Sequence, residues 1–276
     1  MSDPGGRVVL GLTSSNFRVR VHRHPATILN VNIDSSPRRI ALLLDASGSM
    51  IAPEPTLWKP ALAVAKTLLE RLRPQDSVAF LAFANQVERK VDFTRDPKSA
   101  LQQLDELESG TKAIPRGVRK TALWDSVLEA LRLFDSPRVG DSIYVISDGN
   151  DNHSHASRSG VEKALLAAGV RFFALLPPAP VGVRYEWASL GSFQGPATLE
   201  DVSDTTGGAF FRLSNEIDFA LNQLKALTEQ FYRVEVELRQ PVDKSLDWQF
   251  EVVDNGKLLP LLRYPRKAVP CGTRER

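Results

Sequence analysis

Two hydrophobic rhythms divide this chain. In the middle, unbroken apolar runs alternate with helical spacings. Arg39-Ile40-Ala41-Leu42-Leu43-Leu44-Asp45 is such a run and predicts a strand covered on both faces, as at the centre of a parallel sheet. Leu57, Ala61, Val64, Ala65, Leu68 and Leu72 then recur on one helical face. Residues 76–84 predict the next buried strand, and 87–93 a shorter, more polar edge strand. Asp96-Pro97 is a helix entry followed by Leu101 and Leu104. Thr121 opens an amphipathic helix marked by Leu123, Val127, Ala130, Leu131 and Phe134, and Asp141-Ser142-Ile143-Tyr144-Val145-Ile146 is another buried run. A helix over 161–168 closes at Gly169, strands follow at 170–176 and 209–213, and a last helix covers 217–231. This alternation predicts a doubly wound, Rossmann-like α/β fold with a mostly parallel sheet.

The ends follow a period of two. Phe17, Val19 and Val21 alternate with polar residues within 7–33, and 232–238 and 248–252 alternate likewise, as half-exposed antiparallel strands do. Such strands need partners for their apolar faces. The two ends are therefore expected to meet in a small β-module flanking the α/β domain, the alternative being a separate loose hairpin at each end. The corresponding division is residues 1–37 as an N-terminal strand segment, 38–231 as the α/β domain, 232–265 as a C-terminal strand segment, and 266–276 as a disordered basic tail.

Composition narrows the function classes. A chain of 276 residues, 42% hydrophobic, can bury a full core. Its net charge of +2 argues against a dedicated nucleic-acid binder. No apolar run reaches the ~18–20 residues that span a bilayer. Met1 to Leu12 lacks the pattern of a secretory signal, so the sequence as written is expected in the cytoplasm. Cys271 is the single cysteine and excludes an intramolecular disulfide.

Candidate chemistry gathers at strand ends. The first buried run stops in Asp45-Ala46-Ser47-Gly48-Ser49, and in an open α/β sheet ligands bind beyond the carboxyl ends of the strands. One carboxylate and two short hydroxyls are hard oxygen donors that suit Mg²⁺ better than zinc or copper. The same residues also make an ordinary turn and helix cap. A second run ends in Ser147-Asp148-Gly149, and Thr121 places a hydroxyl between the two. Asp45-x-Ser47-x-Ser49, Thr121 and Asp148, in that order and context, resemble the metal-ion-dependent adhesion site of von Willebrand factor type A domains.

That resemblance implies a six-stranded sheet with one antiparallel edge. It also implies that Asp45, Ser47, Ser49, Thr121 and Asp148 hold one divalent cation, Mg²⁺ with Mn²⁺ or Ca²⁺ as substitutes, partly through water. One coordination position is left for an Asp or Glu of a protein partner. Leu12-Thr13-Ser14-Ser15-Asn16-Phe17-Arg18-Val19 and Thr206-Gly207-Gly208 look like a bacterial subgroup described as acidobacterial VWFA-related proteins. Asn16 stands where that subgroup has Asp, and Lys120 where a Gly commonly precedes the site threonine. Thr111, which follows a glycine, therefore competes with Thr121, and the Leu-Trp-Asp after Thr121 favours the latter. Exported relatives make an extracytoplasmic location compatible with the resemblance.

Other residues invite other chemistry. His153 and His155 follow Asp148 on a polar loop, but two histidines without cysteine are a thin zinc set and are expected to be solvated. Asp151 is placed to support a ligand or a water. Arg116, Arg119 and Lys120 offer a basic rim for an acidic partner, or an ordinary solvated loop. Pro53-Glu54-Pro55 and residues 177–195 add loops near the same face. A metal-dependent hydrolase or phosphotransferase using the Asp/Ser cluster is the alternative. It lacks Gly-x-Ser-x-Gly and has Ser47 where phosphotransferases place a second acid. Gly-x-Gly-x-x-Gly and a Gly-Lys-Ser/Thr phosphate loop are absent after the first strand. Hydroxyls without general bases suit holding a ligand better than transforming it. The expectation is thus a Mg²⁺-dependent, non-enzymatic protein-binding module for adhesion or scaffolding.

Overall fold

The structure, a computed structural model, describes residues 9–21, 24–51, 57–109, 120–178, 194–214, 217–238, 244–254, 256–259 and 262–269. Its central sheet has six strands: β4 (Arg39–Asp45), β5 (Ser77–Phe83), β6 (Val87–Thr94), β7 (Ser142–Ile146), β8 (Arg171–Leu176) and β9 (Ala209–Arg212), in the order β6-β5-β4-β7-β8-β9. All neighbours run parallel except β6, which is antiparallel to β5. The unbroken apolar runs have a direct cause. Ile40, Leu42 and Leu44 face a core shared with α2 (Trp58–Glu70), α3 (Lys98–Glu108) and α7 (Ile217–Glu229), the first of these following a short turn of helix, α1 (Gly48–Ile51). Ala41 and Leu43 face the opposite core, shared with α4 (Leu123–Arg132), α5 (Arg158–Ala168) and α6 (Gln194–Thr205).

Three sequence expectations are corrected here. The edge strand β6 has eight residues against seven for β5, so it is not the shorter one; irregular register steps at Val78/Phe80 and Ala82/Phe83 absorb the extra length. Helix α6 was not foreseen, since only Leu199 and Val202 carry its apolar face and Gly195-Pro196 read as loop chemistry. Helix α7 stops at Glu229, short of Phe231. Arg38 ends it by donating Nε to the Thr228 carbonyl at 2.9 Å and Nη2 to that of Glu229 at 3.1 Å. The Phe231 ring then lies against two guanidinium groups, 4.4 Å from Arg38 and 4.7 Å from Arg171.

Strands from both chain ends pair beside this sheet. β1 (Phe17–Val21) runs antiparallel to β11 (Leu246–Asp254), with Phe17 opposite Val252 and Val19 opposite Phe250. β2 (His24–Pro25), β12 (Lys257–Leu258) and β13 (Lys267–Ala268) extend that sheet. β3 (Thr27–Asp34) pairs antiparallel with β10 (Phe231–Glu237), Val31 facing Val234. Leu12, Phe17 and Val252 form a small core covered by Ile28, Val31, Tyr232 and Val234. Asn16 donates Nδ2 to the Val253 carbonyl at 2.8 Å, which a carboxylate could not do. Disorder from residue 266 onward does not hold for 266–269, because Arg266 donates its N–H to Thr205 O at 2.9 Å and Lys267–Ala268 pairs with β11. Cys271 lies outside the described residues.

The Thr206-Gly207-Gly208 stretch joins the two parts. Gly207 adopts φ +78°, and a Cβ there would meet the backbone of Pro265 at 2.6 Å; Thr206 forms a β-bridge to that proline. A Cβ on Gly208 would sit 1.8 Å from the Phe172 carbonyl oxygen, so no side chain fits without pushing β9 away from β8. Gly208→Ala is therefore expected to cost about 1–3 kcal/mol or more, read as a lower urea midpoint with unchanged slope. An unchanged midpoint would refute the close approach.

Candidate functional site

The carboxyl ends of β4 and β7 and the entry to α4 meet on one face of the sheet. Asp45 closes β4 and is fully buried. Its Oδ1 accepts the Ser47 N–H at 2.9 Å, and its Oδ2 accepts the Ser147 hydroxyl at 2.5 Å. Ala46 N–H to the Phe83 carbonyl at 2.7 Å fixes the chain as it leaves the sheet. The Ser47 and Ser49 hydroxyls lie 3.3 Å apart at the start of α1, which Met50 anchors in the core.

Asp148 follows β7 and is 7% exposed. Asn150 donates to both of its oxygens, from the backbone to Oδ1 and from Nδ2 to Oδ2, each at 3.0 Å. The next residue must be glycine, since Gly149 has φ +82° and a Cβ there would lie 2.4 Å from the Gly195 carbonyl oxygen at the start of α6. Thr121 is buried just before α4. Ala122 N–H to Ala84 O at 2.7 Å sets it beside the end of β5. Its own N–H donates to Asn152 Oδ1 at 2.8 Å, and its carbonyl accepts from the backbone of Asn152 at 3.1 Å and His153 at 3.0 Å.

The electrostatics favour a cation. Burial, and next the charge of Asp148, push the Asp45 carboxyl up to about 7, against the hydrogen bonds from Ser147 and Ser47 that favour ionisation. Two acids in a buried corner, bonded only by neutral hydroxyl and amide groups, are stabilised by positive charge. The donor set fits a hard divalent ion. Among the described residues no three His, Cys, Asp or Glu side chains gather into a group that could hold a metal ion.

Other residues singled out by sequence have different tasks. Asp151 Oδ1 accepts from the Leu123 N–H at 2.9 Å and the Ser154 hydroxyl at 2.5 Å, and Ser154 Oγ accepts from Trp124 N–H at 2.9 Å. Together they cap α4 and so hold Thr121 in place. His155 is exposed, with Nδ1 3.1 Å from Asp125 Oδ2, while His153 is half-buried and touches Thr121 through its backbone. Although burial acts the other way, the backbone N–H groups of His155 and Ala156 and the His155 ring hold the Asp125 carboxyl below the usual range. Lys120 is exposed beside Thr121; Arg116, Arg119, Thr111, Pro53-Glu54-Pro55 and residues 179–193 lie outside the described residues. Sequence reasoning missed Ser147, Asn150, Asn152 and Ser154. Their signal was the density of short polar side chains after a buried strand, which favours bonds from side chain to nearby backbone.

Residues 40–150 match the von Willebrand factor type A domain. The matched span contains Asp45, Ser47, Ser49, Thr121 and Asp148. No curated protein matches the chain. An aerotolerance-related membrane protein from Bacteroides fragilis, solved with multiple mutations to serines, superposes with a TM-score of 0.52 at 20% identity, covering 68% of this chain and 98% of that one. BatB from Bacteroides thetaiotaomicron gives 0.51 at 22% identity, again over 68% and 98%. Proximal thread matrix protein 1 from the mussel byssus gives 0.53 at 18% identity, over 76% of this chain and 50% of that one. At such identities the likeness is one of fold. Domains of the von Willebrand factor type A kind are typically protein-interaction modules, and among the described residues no helix is long and apolar enough to cross a membrane.

Proposed function

We propose that the von Willebrand factor type A domain of this chain binds a protein partner through a divalent cation, Mg²⁺ or in its place Mn²⁺ or Ca²⁺. The observation that carries the reading is the pairing of Asp45 and Asp148 in one desolvated corner, where Asp148 opposes the ionisation of Asp45 and hydroxyls supply the remaining oxygens. Asp45 and Asp148 would supply the negative charge, and Ser47, Ser49 and Thr121 neutral oxygens. A cation so held keeps net positive charge and accepts an Asp or Glu carboxylate from the partner. Asn150, Asn152 and Asp151 keep the three loops in register. Lys120, exposed next to Thr121, favours an acidic surface on the partner, as Arg116 and Arg119 do by sequence.

The test is capture of partners by the immobilised protein with Mg²⁺ and with EDTA. A partner retained only with Mg²⁺, and lost from Asp45→Ala, is the expected result; equal capture under both conditions would overturn it. Purified protein with Mg²⁺ is expected to turn over no phosphate or acyl ester above an Asp45→Ala control. Activity lost in that variant would favour the hydrolase or phosphotransferase reading.

A further inference from the structure

The β-module does not lie flush on the main sheet. A cavity of about 280 Å³ separates them. Its walls are largely aromatic: Phe231, Trp248, Phe250 and Tyr264 line it, with Trp248 edge-on to Phe250 at 5.1 Å and Phe250 against Tyr264 at 4.9 Å between ring centres. The charged residues around it, among those described, are Arg171, Arg233 and Arg263, and no acidic side chain lines it. Arg263 is satisfied by Asp204 Oδ1 at 3.2 Å and the Gly208 carbonyl at 3.1 Å. Arg171 is not. Its Nη1 donates to the Leu227 carbonyl at 2.9 Å, its guanidinium lies over Phe231 and Phe173 at 4.7 and 5.3 Å, and its enclosed Nη2 has no hydrogen-bond partner.

A guanidinium held in apolar surroundings without a carboxylate is costly, and the cost falls when an anion arrives to pair with it. Burial first of all, with Arg38 adding to it and Tyr144 and the more distant Asp34 opposing it without bonding to the guanidinium, lowers the Arg171 pKa to about 10, which still leaves it charged at neutral pH. Aromatic walls with a few basic groups, of which Arg171 keeps an unpaired nitrogen, are the pattern of a small-ligand site, where apolar area supplies affinity and a polar group sets orientation. We propose that this cavity binds a small apolar monocarboxylate of about the size of an arylacetate, its ring among Phe231, Trp248 and Phe250 and its carboxylate on Arg171. Nη2 is closed to water in the present state, so the ligand opens the stack of Phe231 on Arg171 as it enters. Multiply charged anions such as phosphates are disfavoured by the apolar walls. The site is independent of the cation-binding face, which lies at the carboxyl ends of the strands, whereas Arg171 begins β8 at the opposite end.

The test uses the whole chain with phenylacetate and its neutral amide, phenylacetamide, followed by melting temperature and by tryptophan fluorescence, to which Trp248 contributes. Phenylacetate is expected to raise the melting temperature in a saturable way and to bind about tenfold or more tightly than the amide, since only the acid answers the buried cation. Arg171→Gln is expected to erase the preference for the acid. In case that variant folds poorly, Val139→Trp offers a second route: Val139 lines the cavity but is 51% exposed, so the larger ring narrows the entrance without disturbing the core, and about a tenfold weaker response is expected. Equal binding of acid and amide by the wild type, or no response to phenylacetate, would overturn the proposal. So would a preference for the acid that survives in Arg171→Gln, or an unchanged response in Val139→Trp.

Discussion

Adding Mg²⁺ to the wild-type protein is expected to raise its melting temperature, and Asp45→Ala is expected to show no rise at all. A ligand that binds only the folded state stabilises it by about 2.7 kcal/mol at one hundred times its dissociation constant. For a domain of this size that is roughly 5–10 °C. EDTA should reverse the gain. The loss in Asp45→Ala follows from position, because Asp45 is the fully buried carboxylate at the end of the central strand and the site has only Asp148 to share its charge. Asp45→Asn separates metal binding from folding. It keeps the size of the side chain and an acceptor for Ser47 N–H, yet removes a charge that both burial and Asp148 oppose. The metal-free Asn variant is thus expected to be at least as stable as the wild type while remaining indifferent to Mg²⁺. Thr121→Ala is expected to weaken the response more than Thr111→Ala, and the opposite order would reassign the third loop. A full Mg²⁺ response in Asp45→Ala would remove the site.

The sequence was most readable where one physical rule acted alone. β4 must satisfy two cores, so it had to be apolar at every position from Ile40 to Leu44, as β5 is from Val78 to Phe83. Asp45 and Asp148 stood out in the sequence because a carboxylate at or just past the end of a doubly buried strand has few structural reasons to be there. Helix α6 was hidden because its burial rests on Leu199, Val202 and small residues such as Gly195 and Ser203, which leave little periodicity to detect. The end of α7 was hidden for a different reason. Phe231 continues the apolar spacing of the helix, but Arg38, distant in sequence, takes the last carbonyls and turns the ring onto the two guanidinium groups. The loop that stitches the site was hidden because Asn150, Asn152 and Ser154 look like turn formers. They are turn formers, and their side chains also hold Asp148, Thr121 and the start of α4. The cavity behind the β-module depends on how two sheets pack, and no local pattern encodes that.

Removing residues 9–33 is expected to make the segment from 231 onward sensitive to protease while the domain around the candidate metal site stays folded. The deletion takes β1, β2 and β3 together, so β10 loses its one strand partner among the described residues and β11 loses the partner that spans Phe17 to Val21. β10 and β11 do not pair with each other, and what remains of their sheets is a few short ladders at β12 and β13. A ladder of that size is marginal in water. The small core of Leu12, Phe17 and Val252 also loses its first two members. The two cores of the main sheet behave differently, since their members run from Ile40 to Leu227 and none comes from the deleted stretch. Asp34 is retained by design. It accepts Arg38 Nη1 at 2.9 Å, and Arg38 closes the end of α7, so cutting past it would disturb the main domain as well. Cleavage within 231–269 is expected to accelerate on the order of a hundredfold, as for a segment losing about 3 kcal/mol of local protection. The Mg²⁺-dependent rise in melting temperature is expected to persist. Unchanged protection of the C-terminal strands would show that they fold without the N-terminal ones. Loss of the main domain's cooperative unfolding would show that the flanking sheets are part of its core.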